Sequence, residues 1–342
     1  MYAELDQRLP SNTRRWQSDE FLAELADWVG AEVGHVRSLE SAKLRVWAGV
    51  WRADSASGVH YAKQNCQLQS FEAALVPVLA ELSPHRVVPV TATDPARGLL
   101  LTPDQGPVFA DTVGEDLDAW GAVVAASARL QREVAPAVDR LSEAGMATLA
   151  PADAAAYVER RVDELASLPA GHPMALASDR AAALQALRPT IAEWVDRVAS
   201  LGLPVTLNHS DLHGHNVFKV GEDLRFFDFA DSMLTEPLGA LLIPLNVLSG
   251  ELDAGPDDPR LWRVVDPALE VWSDLAPLPA LRAALPAALQ LSRLARVESW
   301  ARCCMSMTDA ELAEWGGSVP GWLETLLQDP PLGAGCGGAG RT

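Results

Sequence analysis

The apolar positions of the chain change period more than once. Between residues 12 and 34, Phe21, Leu22, Leu25, Trp28 and Val29 recur at three- and four-residue spacing among acidic neighbours, the pattern of an amphipathic helix. From Leu44 the period drops to two. Leu44, Val46, Ala48 and Val50 alternate with Arg45, Trp47 and Trp51, and Val59-Tyr61-Lys63 follows a Ser57-Gly58 turn, so two paired strands are predicted. The first strand turn is placed at Leu39 to Lys43. Ser70 is positioned to cap a helix running from Phe71 to about Leu82, with Pro77 bending it. Apolar runs at 87–90 and 99–101 complete a small sheet of five strands, closed by the turn-rich stretch 102–107.

Beyond that stretch helical periodicity dominates, over roughly 115–134, 151–167, 178–199, 260–274, 280–304 and 309–328. One β island, 204–229, interrupts it. The pattern is α+β, with an N-terminal lobe at 1–106, a larger C-terminal lobe at 107–332 and a Gly-rich flexible tail at 333–342.

Composition narrows the partners. The 342 residues carry a formal charge of −19, which excludes a phosphate-rich nucleic-acid partner and favours a neutral or cationic small ligand. Cys66, Cys303, Cys304 and Cys336 form neither a C-x-x-C pair nor a disulfide framework, which points to a reducing cytoplasm. The longest apolar run, 238–248, contains Gly239, Pro244 and Asn246 and is too short to cross a bilayer. No membrane partner is expected, and a monomer or homodimer is.

The β island carries the chemistry. Val217 to Val220 and Leu224 to Phe227 flank Gly221-Glu222-Asp223, which reads as a hairpin. Asn216 and Asp228 lie six residues on either side of Glu222, so both fall at its open end. An amide oxygen and a carboxylate so placed make a hard-oxygen site that suits Mg²⁺. Asp211, in the loop entering the same end, is positioned to orient a hydroxyl and accept its proton.

The run His209-x-Asp211-x-His213-x-x-Asn216, an apolar strand and then Asp228-Phe229 resembles the catalytic loop and metal-binding acid of the aminoglycoside phosphotransferase and choline kinase-like family. The resemblance covers about Val36 to Leu327. It implies a bilobal protein-kinase-like fold, with a small nucleotide-binding N-lobe and a mostly helical catalytic and substrate-binding C-lobe. It further implies that Asp211 is the catalytic base, that Asn216 and Asp228 hold magnesium, and that His209 braces the loop. Lys63 is similar to the family's strand lysine on the ATP phosphates, and Glu72 to its partner on the next helix. Ser210 and Gly214-His215 stand where the commonest family version has Gly and Pro-Gly, and no G-x-G-x-x-G is present.

Asp266, Glu270 and Asp274, at four-residue spacing on one predicted helix face, are with Glu298 the candidate contacts for a cationic acceptor, and Asp231 is placed near the same cleft. Trp120, Trp194 and Trp300 read as core anchors. The expected activity is transfer of the γ-phosphate of ATP, or of GTP, to a hydroxyl of an aminoglycoside or basic peptide, conferring resistance or self-protection. Three alternatives stand beside it. One is a metabolic kinase of choline or homoserine type. Another is a metal-dependent hydrolase using His209, Asp211, His213 and His215 as ligands. The last is an inactive binding protein of the same fold.

Overall fold

The structure, a computed structural model, describes residues 2–5, 8–113 and 116–333. Of the tail placed at 333–342, residues 334–342, Cys336 included, lie outside the described residues. Helix α1 (Asp19–Val33) starts at Ser18, whose hydroxyl accepts the Phe21 N–H at 3.2 Å. Its buried stripe, Phe21, Leu25, Val29 and Val33, covers Trp51, Ala53, Ala62, Leu99 and Leu101 of an antiparallel sheet. The strands are β1 (Val36–Leu44), β2 (Ala48–Ser55), β3 (Gly58–Asn65), β4 (Ala92–Asp94) and β5 (Leu99–Pro103), in the order β1-β2-β3-β5-β4. Alternation along β3 sets Ala62 against α1 and leaves Lys63 on the opposite face.

Three local expectations are corrected. Residues 39–43 lie inside β1, and the first hairpin turns at 45–47 because Leu44 pairs with Gly49. Residues 87–90 form no strand. Val87 makes one isolated bridge to Phe226, and Val88 N–H donates to the Phe226 carbonyl at 3.2 Å, so this segment joins the two lobes. Helix α2 (Glu72–Leu82) is not capped by Ser70, whose hydroxyl donates to the Gln67 carbonyl at 2.8 Å.

The second lobe comprises α3 (Phe109–Val113), α4 (Leu117–Val134), α5 (Val138–Glu143), α6 (Ala154–Ala166), α7 (Ser178–Ala186), α8 (Arg188–Ala199), α9 (Leu242–Glu251), α10 (Pro259–Glu270), α11 (Leu278–Met305), α12 (Asp309–Trp315) and α13 (Ser318–Glu324). The predicted helix 178–199 divides at Leu187, where Pro189 opens α8 without an N–H to bond backward. Two short antiparallel pairs sit among these helices: β6 (Thr206–Asn208) with β9 (Met233–Thr235), and β7 (Val217–Val220) with β8 (Asp223–Phe226). Trp120 is buried edge-on against Phe109, as a core anchor; Trp300 and Trp194 are only partly buried.

A buried ionic network fixes the start of the chain to the second lobe. Glu298, on α11 and fully buried, accepts from Arg161 Nη2 at 2.6 Å, from the Tyr157 hydroxyl at 2.9 Å and from Ala3 N–H at 2.7 Å. Removing one partner of a buried pair leaves the other charge poorly compensated. Glu298→Gln is therefore expected to lower unfolding free energy by about 3 kcal/mol. Urea denaturation checks this, and an unchanged midpoint would show that the network contributes nothing net.

A second buried acid gives a pH signature. Glu236 accepts the N–H groups of Leu238 at 2.8 Å and Gly239 at 2.7 Å, and any side chain at Gly239 would meet this carboxylate at 2.5 Å. Burial nevertheless pushes its carboxyl up to about 7 from 4.5. The folded state thus holds a proton that the unfolded chain has lost between those values, so stability falls as pH rises through 7. Relative to Glu236→Gln, the wild type is expected to lose stability between pH 5 and pH 8. Parallel stability curves across that range would contradict it.

Candidate active site

The hairpin β7–β8 turns through Gly221-Glu222, with Gly221 at φ +61° in a region where glycine has no steric penalty. The turn is two residues, not the three read from sequence. Opposite Asn216 stands Phe227, whose N–H donates to the Asn216 carbonyl at 3.2 Å, and Asp228 lies one residue further out. Asp228 leaves the strand at φ +63°, a left-handed conformation that costs a non-glycine residue roughly 1–2 kcal/mol.

That turn aims the Asp228 carboxylate across the lobe junction. Its Oδ1 lies 2.5 Å from Lys63 Nζ, which also meets Glu72 Oε2 at 2.6 Å. Glu72, 1% exposed, is held by the Phe229 N–H at 2.7 Å and Asn65 Nδ2 at 2.6 Å. Burial alone would lower the Lys63 pKa. Asp228 and Glu72 outweigh it and keep the ammonium charged.

Asp211 follows Ser210, which takes φ +62°, the left-handed conformation that favours glycine. Arg296 of α11 reaches in from behind. Its Nη1 lies 3.2 Å from Asp211 Oδ1, 3.0 Å from the Ser210 carbonyl and 2.9 Å from Asp231 Oδ2. Burial would raise the Asp211 pKa, but Arg296 and then His213 hold it well below the usual carboxylate range. Asn216 Nδ2 donates to the Asp211 carbonyl at 2.9 Å and lies 3.4 Å from Asp211 Oδ2. Asp228 is near enough for the Asp211 charge to oppose its ionisation, although Lys63 keeps its pKa lowered against burial. His209 donates through Nε2 to the Phe227 carbonyl at 2.9 Å and packs on Phe229, bracing the loop against the hairpin. Burial lowers its pKa, so the ring is neutral near pH 7.

The donor set fits a hard divalent cation. The Asn216 amide nitrogen faces Asp211, and its oxygen takes no part in those bonds. Asp228 engages Lys63 through one oxygen only. A neutral oxygen and a carboxylate oxygen are what Mg²⁺ takes from protein when phosphates and water complete its shell. The alternating histidines do not converge in this way. Among the described residues no group of three His, Cys, Asp or Glu side chains could hold a metal ion, so the hydrolase site lacks its ligands.

The acidic candidates for acceptor binding make no bond to these groups. Helix α10 ends at Glu270, so Asp274 is past it rather than on its face. Asp266 pairs with Arg282 and Asp274 with Arg132, both on the surface, Glu270 is exposed, and Glu298 is sealed in its own network. Among the described residues none of the four bonds to Asp211, Asn216 or Asp228. Asp231 is committed to Arg296, Ser299 and Gln69. Arg296 and Gln69 belong to this site although no motif in the sequence marks them. Arg293, Arg296 and Arg302 on an otherwise Ala- and Leu-rich helix were the available signal, because buried arginines require partners.

No family model and no curated sequence matches the chain. Solved structures do. A Plasmodium vivax ethanolamine kinase superposes with a TM-score of 0.62 at 13% identity, covering 90% of this chain and 89% of that one. An amicoumacin kinase in complex with AMP-PNP and Ca²⁺ gives 0.59 at 14% identity, over 93% and 96%. A choline/ethanolamine kinase family protein from Mesorhizobium loti gives 0.56 at 15%, over 90% and 95%. The fold is protein-kinase-like. Within this kinase-like fold the sheet lobe carries Lys63 and Glu72, the helical lobe carries Asp211, Asn216 and Asp228, and the two sets meet at the Lys63–Asp228 contact. No helix among the described residues is long and apolar enough to cross a membrane.

Proposed function

We propose that the chain is a magnesium-dependent kinase that transfers the γ-phosphoryl group of ATP to a hydroxyl of a small cationic molecule in the cytoplasm. The observation that carries the reading is the meeting of Lys63, Asp228, Asn216 and Asp211 at one lobe junction, with Lys63 held by the buried Glu72 and Asp211 by the buried Arg296. Lys63 binds the nucleotide phosphates, and Glu72 keeps its ammonium in place. Asn216 and Asp228 would hold magnesium, which when bound neutralises charge on the phosphates. Asp211, ionised and fixed by Arg296, orients the acceptor hydroxyl and takes its proton. Positioning and charge compensation are most of what phosphoryl transfer asks of a protein.

The acceptor class rests on the charge of −19, which draws cations toward the surface. Antibiotics of aminoglycoside or basic peptide type fit it, and resistance or self-protection is the role that would follow. The test is incubation with ATP and Mg²⁺ against a panel of aminoglycosides, cationic peptides, choline and homoserine, read as a mass gain of about 80 Da for one HPO₃ unit. A gain on choline or homoserine alone would move the role to metabolism. No gain on any member, with no nucleotide turnover, would remove the kinase reading.

A further inference from the structure

The connection between β3 and α2 buries a glutamine, a residue ordinarily left at the surface. Gln69 is 1% exposed, and both ends of its amide are engaged. Its Nε2 donates to Asp231 Oδ1 at 2.6 Å, and its Oε1 accepts from Cys303 Sγ at 3.3 Å and from Cys66 Sγ at 3.4 Å. These partners fix which way the amide points. The adjacent Cys66 thiol and then burial push the Cys303 pKa up, so that thiol stays protonated and seeks an acceptor, whereas the Asp231 carboxylate seeks donors. Reversing the amide would set its oxygen against the carboxylate.

Asp231 carries this contact onward to the proposed base. Its Oδ1 also accepts from the Ser299 hydroxyl, and its Oδ2 accepts from Arg296 Nη1 at 2.9 Å. The same Nη1 faces the Ser210 carbonyl at 3.0 Å and Asp211 Oδ1 at 3.2 Å. One nitrogen with two hydrogens thus serves three acceptors, and where it settles depends on how firmly Asp231 is held. Ser299 holds Asp231 from α11, the helix that carries Arg296 itself. Gln69 holds it from the sheet lobe.

We propose that Gln69 is a positioning residue for Asp211: it steadies Asp231 from across the lobe junction, and Asp231 in turn aims Arg296 at the base. The sheet lobe thereby sets the geometry of a group that the helical lobe carries. The effect on rate rests on the phosphoryl-transfer role proposed above, whereas the link from Gln69 to Asp211 does not. Nucleotide binding lies outside the link, because Glu72 keeps Asn65 Nδ2 and the Phe229 N–H whatever side chain stands at 69.

The test uses the full chain and steady-state kinetics with ATP, Mg²⁺ and the panel member that the wild type phosphorylates. Gln69→Met, which removes the donor at similar size, and Gln69→Glu, which sets a carboxylate against Asp231, are each expected to lower kcat by at least about tenfold. AMP-PNP Kd is expected to stay within about twofold of wild type in both, a split that a glutamine needed only for packing would not produce. Combining Gln69→Glu with Asp231→Asn reverses donor and acceptor at unchanged total charge, and is expected to restore kcat to within about threefold of wild type. Rates are compared at equal folded fraction, and Gln69→Met keeps the test valid if the double variant does not fold. Near-normal kcat in Gln69→Met, or a double variant no faster than Gln69→Glu, would overturn the proposal. A readout free of activity is the ¹⁵N–¹H spectrum: Gln69→Met is expected to shift the backbone amides of Ser210 and Asp211, and unmoved amides would overturn the link. A wild type that turns over no ATP, in which those amides still move, would instead count against the kinase reading and leave the link standing.

Discussion

Asp211→Asn is expected to lower kcat by about 10²- to 10⁴-fold while leaving nucleotide affinity nearly unchanged. The amide keeps the size of the side chain and an oxygen that can accept from the acceptor hydroxyl, but it cannot take the proton. Its neighbours remain provided for, because Arg296 still pairs with Asp231 at 2.9 Å and Asn216 still donates to the backbone carbonyl of residue 211 at 2.9 Å. A large loss of rate therefore reads on the carboxylate and not on the fold. The low pKa of Asp211 sharpens the expectation. A carboxylate kept ionised by Arg296 stays charged well below neutral pH, so kcat/KM should show no acid limb from this group between pH 5 and pH 8. Steady-state kinetics with AMP-PNP titration checks both statements. A variant with near-normal turnover would take Asp211 out of its proposed role.

The sequence made this region readable because its chemistry is local. His209, Asp211, Asn216 and Asp228 lie within twenty residues of one another on a loop and a hairpin, and the turn residues between them fix their approach. The small sheet was readable for the same reason, since its alternation is a property of each strand alone. What stayed hidden depends on contacts between distant segments. Arg296 lies 85 residues beyond Asp211, and nothing in the helical period of α11 says which loop its guanidinium meets. The run 87–90 looked like a strand because it is apolar, yet it is buried by bridging to Phe226 rather than by joining the sheet. The acidic row at Asp266, Glu270 and Asp274 had the spacing of a helix face, but the arginines that neutralise it come from α4 and α11. Spacing along one helix predicts proximity of like charges. It does not reveal the partners that the fold brings to them.

Asp228→Ala is expected to cost about 10³-fold in kcat/KM, the upper scale for removing one electrostatic contact from a charged transition state. Two losses combine in it. The carboxylate oxygen proposed to hold magnesium disappears, and Lys63 loses one of its two anionic partners, keeping Glu72 at 2.6 Å. These can be separated. Lys63→Met removes the lysine contact and leaves both acids, so it should weaken productive nucleotide binding while the magnesium midpoint of activity stays close to wild type. Asp228→Ala should shift that midpoint strongly upward or abolish saturation. Because the two side chains touch, the double variant should lose less than the product of the single effects. An Asp228→Ala protein with wild-type magnesium dependence would place the metal elsewhere. Strictly multiplicative losses would mean that the Lys63–Asp228 contact does not couple the lobes during turnover. The left-handed backbone at Asp228 makes a folding control necessary, since Ala tolerates that conformation less well than Asp. A fall in activity much larger than any fall in unfolding free energy therefore belongs to the carboxylate.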